Sequence, residues 1–164
     1  MNAAQIHLAL NHVPLFLALA GGIVLAIGLI QKNNSRISTA LYLLIGGALL
    51  TIPVFFTGEG TEELVEELPG VTENLIGQHE DMAQIAFGII IAAGVMSLAT
   101  IFMKNKQVLF RSLSIVVLVL SLASFGAMAQ TAHLGGQIRH TEIQNGTVAG
   151  PENGTGSEKE KDDD

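Results

Sequence analysis

Four long apolar stretches restrict what this chain can fold into. They cover residues 8–30, 37–56, 82–103 and 108–129. The charged residue among them is Arg111, near the start of the last stretch. A helix needs roughly 20 mostly apolar residues to cross the hydrocarbon core of a bilayer. Because only 14% of the chain is charged, against about a quarter in soluble domains, we predict an all-α bundle of four transmembrane helices over residues 1–143.

Polar connections separate the apolar stretches as four hairpin-joined helices require. Residues 31–36 and 104–107 form short turns, whereas residues 57–79 form a longer loop. Within that loop, residues 61–68 predict a short surface helix that ends at Pro69-Gly70. Thr72 follows as a predicted N-cap, so we expect the third long helix to begin above the membrane.

The two ends of the chain have different compositions. Residues 144–164 are rich in Gly, Asn, Glu and Asp with almost no apolar side chains, which predicts a disordered acidic tail. The first apolar stretch lacks the basic start and the small-residue cleavage site of a signal peptide. We therefore expect it to be retained as a transmembrane helix.

The distribution of charge predicts the orientation. Five of the eight basic residues flank the two short turns: Lys32, Arg36, Lys104, Lys106 and Arg111. All fifteen Asp and Glu residues lie in the long loop, at the start of the third helix or after residue 141. By the positive-inside rule the short turns are cytoplasmic. We predict a multi-pass protein of a bacterial plasma membrane, with both termini on the periplasmic or extracellular side.

A weak internal repeat relates the two halves of the chain. His7 precedes Lys32-Asn33 by the spacing at which His79 precedes Lys104-Asn105, and Gly22 corresponds to Gly94. Two related helical hairpins would explain this correspondence.

The five histidines fall on one side of the predicted membrane. They are His7, His12, His79, His133 and His140. A rise of about 1.5 Å per residue puts His7, His79 and His133 at similar depth near the outer boundary, with His12 about 7 Å deeper. His12 lies inside an otherwise uncharged span and needs a polar partner. We predict that His12, His79 and His133 form the core of a ligand site, with His7 and His140 as further candidates.

Histidines on facing helices of a bundle are typical ligands of haem and of metal ions. The chain has no cysteine, so thiolate ligands and covalent haem attachment are excluded. We favour one b-type haem, or two, with the iron held by His12, His79 and His133 in some pairing. The same histidines also fit a copper, zinc or quinone site, with Met82 or Met128, and a third alternative is a non-redox membrane assembly subunit. No catalytic nucleophile–base pair or phosphate-binding loop is found, so a stand-alone enzyme is disfavoured.

The segments that contain the histidines resemble one family of bacterial membrane proteins. Ile6-His-Leu-Ala-Leu-Asn-His-Val-Pro14 is similar to a signature in which a His and four further residues precede His-Phe-Pro. The similarity continues at Thr57-Gly58, at Gln78-His79 and at Ala132-His-Leu-Gly-Gly136 followed by His140. These motifs resemble the family catalogued as "domain of unknown function 2231", and the resemblance implies a haem-binding four-helix membrane protein.

The chain departs from that family pattern at three places. Leu8 stands where Pro usually follows the first His, and Val13 stands where Phe precedes Pro. Arg139-His140-Thr141 stands where the family often has Tyr, a spacer and His-Gly. The role of His140 is therefore the least supported of the five.

The long loop is strongly acidic. It contains Glu59, Glu62, Glu63, Glu66, Glu67 and Glu73, and Glu80 and Asp81 follow beside His79. A solvated helix face accounts for this pattern. The functional alternative is electrostatic steering of a basic soluble electron carrier, either by the protein alone or as a subunit of a respiratory complex.

Overall fold

The computed structural model describes residues 2–66, 70–140 and 144. Within these ranges the protein is all-helical, and its elements are α1 (Ala3–Leu10), α2 (Val13–Ile30), α3 (Asn34–Phe56), α4 (Glu59–Val65), α5 (Glu73–Phe102) and α6 (Gln107–Arg139). Four helical segments are long and apolar enough to cross a membrane, with α1 and α2 together forming the first. Only 28–39% of the most apolar part of each segment is buried, so most of these apolar residues keep accessible surface, as is expected of helices that contact lipid.

The four long segments pack as a ring. Helix α2 contacts α3 and α6, and α5 contacts the same two helices from the opposite side. We call the end of the bundle with Ala3, Phe56, Glu73 and Arg139 the histidine end. The opposite end, with the two short turns, is the basic end.

The apolar spans lie where the hydropathy pattern predicts them, with one break that the pattern does not predict. The first segment is interrupted at Asn11-His12, just before Pro14 in the first turn of α2, a position where the missing N–H of Pro breaks no helix hydrogen bond. Helix α5 begins at Glu73, and its predicted cap is confirmed because the Thr72 hydroxyl accepts a hydrogen bond from the Leu75 N–H at 3.3 Å. Helix α6 ends at Arg139.

The short helix α4 begins two residues before the predicted start at residue 61. The predicted end at Leu68 and Pro69 lies outside the described residues, as does nearly all of the predicted acidic tail. Gln144, at the start of that tail, donates hydrogen bonds to the carbonyls of Gly70 and Gln137.

The internal repeat is present in the packing. Every buried residue of the first segment has a buried counterpart in α5, 72 positions later. The first set is Ala4, Pro14, Ala18, Gly21, Gly22, Leu25 and Gly28, and the second is Ile76, Ala86, Ile90, Ala93, Gly94, Ser97 and Thr100. Four buried residues of α3 recur 77 positions later in α6: Ile37, Ala40, Leu44 and Gly47 correspond to Ser114, Val117, Ser121 and Ser124. The two hairpins are thus approximate copies that pack against each other.

Small and hydroxylated residues let the helices approach closely. Gly22 lies against Ser121, and the Ser121 hydroxyl donates a hydrogen bond to the Ala18 carbonyl across the helix interface at 2.9 Å. Gly94, the counterpart of Gly22, lies against Ala48. Packing of this kind replaces the hydrophobic effect as the source of helix association in lipid.

Candidate functional site

His7 contacts the end of α3. Its Nδ1–H donates a hydrogen bond to the Val54 carbonyl at 2.9 Å, because a carbonyl oxygen can only accept. Val54 is in the last turn of α3, where carbonyls lack a helical partner, and the Thr57 hydroxyl also donates to this oxygen at 3.1 Å. Gly58 is next to the ring, and a Cβ there would make an ordinary contact with His7 Cε1 at 3.7 Å. The hydrogen bond orients the imidazole and leaves the proton on Nδ1.

His79 makes the equivalent contact in the second hairpin. Its Nδ1–H donates to the Thr131 carbonyl of α6 at 2.9 Å. Gly135 lies directly against the ring, because a Cβ at that position would be 3.0 Å from Cε1 and 3.2 Å from Nδ1. In both halves, therefore, a histidine from one helix donates to a carbonyl of the next long helix, and a glycine four residues after that carbonyl accommodates the ring.

His7 and His79 both lie at the histidine end, one from each hairpin, and both are half-buried. Neither Nε2 makes a hydrogen bond within the described part of the chain. A neutral imidazole that carries its proton on Nδ1 presents an unprotonated Nε2 with a free lone pair. That is the state in which histidine binds iron, and a carbonyl acceptor on the other nitrogen is the usual way of holding such a ligand in place.

The other three histidines are exposed. His12 lies at the break between α1 and α2, where its Nδ1–H donates to the side-chain oxygen of Asn11. His133 accepts a hydrogen bond at Nε2 from the Gln137 side-chain amide at 3.3 Å. His140 is the C-cap residue of α6. His7 and His79 are thus half-buried and held by helix carbonyls, whereas His12 and His133, which the depth argument groups with His79, have exposed side chains.

A site with three or more protein ligands is absent from the described residues, because no three His, Asp or Glu side chains there can hold one metal ion. A haem needs only two protein ligands, since the porphyrin supplies four nitrogens. The two half-buried imidazoles match the number of protein ligands that a haem takes.

The glycines and carbonyls that hold the two rings are only partly visible in sequence. The pairs Thr57-Gly58 and Gly135-Gly136 stood out as motifs, and the glycines were expected to allow close helix approach. Their contact with imidazole rings, and the carbonyl acceptors at Val54 and Thr131, have no signature in sequence because every residue carries a backbone carbonyl.

Carboxylates gather beside this pair. Glu66, Glu73, Glu80 and Asp81 are exposed at the histidine end. A hydrogen bond with the Glu80 side chain, together with partial burial and the negative charges of Glu80, Glu66 and Glu59, raises the pKa of Glu62 to about 6. This contact between Glu62 and Glu80 joins α4 to the first turns of α5.

No family model, no curated protein and no solved structure matches this chain.

Proposed function

We propose that the protein is a membrane cytochrome that binds one b-type haem between His7 and His79. The observation that carries the proposal is the pair of half-buried imidazoles, each with Nδ1–H on a helix carbonyl and Nε2 without a partner. When bound, the haem would supply one-electron chemistry. The chain's own contribution is to orient the two rings, to keep the proton on each Nδ1 and to surround the group with an apolar bundle.

The histidine segments resemble a membrane family that is predicted to bind haem, which points the same way. Of the five histidines in that resemblance, we choose His7 and His79 as the iron ligands because both are half-buried and donate to helix carbonyls. His12, His133 and His140 have exposed side chains and stay further candidates.

The electrons would pass at the histidine end. We place this end on the periplasmic side of a bacterial plasma membrane, because the basic residues flank the opposite turns. The exposed carboxylates around the site would attract a basic soluble electron carrier and raise its association rate. The protein would act alone in this exchange or as a subunit of a respiratory complex.

Optical spectroscopy of the full-length protein, purified in detergent from haem-replete cells, tests the proposal. We expect a Soret band and, on reduction, a sharp α band of the b type. His7→Ala and His79→Ala should each lower the haem content about tenfold, since one axial ligand bond is lost. His12→Ala and His133→Ala are the matched controls and should retain haem. A colourless wild-type protein would contradict the proposal, as would loss of haem in the controls alone.

Rescue with imidazole separates loss of a ligand from loss of the fold. Added imidazole should restore the low-spin spectrum of His79→Ala if the ring acts as an axial ligand. If the protein is folded, by its helical circular dichroism, and imidazole restores nothing, then His79 serves only to join α5 to α6.

A further inference from the structure

The basic end of the bundle carries a concentrated positive charge without a counter-charge. Lys32, Arg36, Lys104 and Lys106 are exposed there, and Arg111 is half-buried one turn into α6. The sequence has no Asp or Glu between residues 1 and 58 or between residues 82 and 141. In the part of the chain that the structure describes, none of these five cations has a carboxylate within ion-pair distance.

Arg111 joins the two short turns of the basic end. Its Nη2 donates to the Lys32 carbonyl at 3.4 Å, a long contact between residues 79 positions apart. Its Nε is buried without a hydrogen-bond partner. The guanidinium therefore lies against the α2–α3 turn with most of its five N–H donors unused by the protein.

The backbone of this region is fixed before any ligand arrives. Lys32 ends α2 in the left-handed conformation (φ 52°), and the Asn33 N–H closes the turn on the Gly28 carbonyl at 2.9 Å. Asn34 and Gln107 exchange two side-chain hydrogen bonds at 2.7 and 3.1 Å, which fasten the start of α3 to the start of α6. The cations of the two turns thus stay together at one place.

We propose that this cluster is a binding site for the phosphate of an anionic phospholipid, between the α2–α3 turn and the first turn of α6. Arg111 would donate to the phosphate oxygens in the paired geometry that a guanidinium allows, and Lys32 and Arg36 would add charge. A lipid is the occupant that the site fits, because the cluster lies at the end of four membrane-spanning segments, at the level of the headgroups. The site is independent of haem and of the histidine end.

Native mass spectrometry of the full-length protein tests this assignment. The probes are cardiolipin and phosphatidylglycerol, with phosphatidylcholine as the neutral comparison. We expect the anionic lipids to bind about tenfold more tightly, and Arg111→Gln to remove most of that preference. Arg139→Gln removes the same charge from an exposed residue at the opposite end and should change nothing.

Two further experiments test the role of the guanidinium and the identity of the bound anion. Arg111→Lys keeps the positive charge but loses the planar guanidinium, so it should retain only part of the preference for anionic lipid. This variant keeps the test informative if Arg111→Gln does not fold. Inorganic phosphate at equal concentration should not displace the lipid. Equal binding of phosphatidylcholine, an equal loss in Arg139→Gln, or displacement by inorganic phosphate would each overturn the proposal.

Discussion

Gly135 is the residue on which the position of the His79 ring depends most directly. A methyl group there would lie 3.0 Å from Cε1, so the ring must move by a few tenths of an ångström and its hydrogen bond to Thr131 must lengthen. We predict that Gly135→Ala lowers haem retention about fivefold. This factor corresponds to roughly 1 kcal/mol, the usual contribution of one hydrogen bond. The haem absorbance per mole of protein measures the haem content. Nitrogen NMR of labelled histidine measures the tautomer of His79, whether or not haem is bound.

Gly126→Ala is the control for this substitution. It adds the same methyl group to the same helix, but nothing lies within 4 Å of the new atom. Unchanged His79 tautomer and haem content in Gly135→Ala would show that the close contact has no effect on the ring.

Glu62 is the residue whose ionisation should report on the contact between α4 and α5. Its pKa is raised from 4.5 to about 6, chiefly by the hydrogen bond with Glu80. The folded state therefore binds more protons than the unfolded state between these two values, and the contact weakens as the pH rises through that window. We expect the protection factors of the α4 amides, which correct for the intrinsic rise of hydrogen exchange with pH, to fall from pH 4.5 to pH 7, and Glu62→Gln to remove this fall.

The Glu80→Gln variant provides the complementary measurement. It removes the carboxylate that raises the Glu62 pKa, so carbon NMR of the Glu62 carboxyl group should show titration closer to 4.5. A Glu62 pKa that stays near 6 in this variant would mean that burial, and not Glu80, dominates.

Helix pairs in this bundle depend on glycine where another helix passes closely. A Cβ on Gly22 would lie 2.6 Å from the Ser121 hydroxyl oxygen, which is itself bonded to Ala18. Gly22→Ala should therefore destabilise the bundle by about 1–3 kcal/mol, the usual cost of overpacking. Unfolding in mixed micelles measures the loss, and Gly126→Ala should be neutral or slightly stabilising because Ala favours helix more than Gly does.

The helices themselves were largely predictable, whereas the contacts that hold the histidine rings were not. Hydropathy located the spans because each needs a long uncharged stretch, and the Thr72 cap followed from residue type. The break at Asn11-His12 was missed, since Pro14 is compatible with a first helical turn. The exposure of His12 at that break and of His133 on α6 depends on packing, which depth along a helix does not reveal. The carbonyl acceptors of His7 and His79 depend on how neighbouring helices pack.

At the scale of the whole molecule, the repeat explains why His7 and His79 have matching surroundings. Each hairpin brings one histidine, one helix carbonyl and one glycine to the same end of the bundle. The proposed site would then take one ligand from each copy. The halves have diverged elsewhere: acidic residues follow α3 and begin α5, whereas the equivalent first helix carries none.

The direction in which the bundle crosses the membrane can be tested cleanly because the chain contains no cysteine. Single cysteines at exposed positions, Ser35→Cys and Asn105→Cys at the basic end and Asn74→Cys at the histidine end, serve as reporters. Asn74→Cys should react with a membrane-impermeant maleimide in intact spheroplasts, and the other two only after lysis, because clustered Lys and Arg keep the short turns inside. The reverse pattern would put the haem site on the cytoplasmic side. The acidic residues near His79 would then face cytoplasmic partners, and the phosphate site would face the outer leaflet.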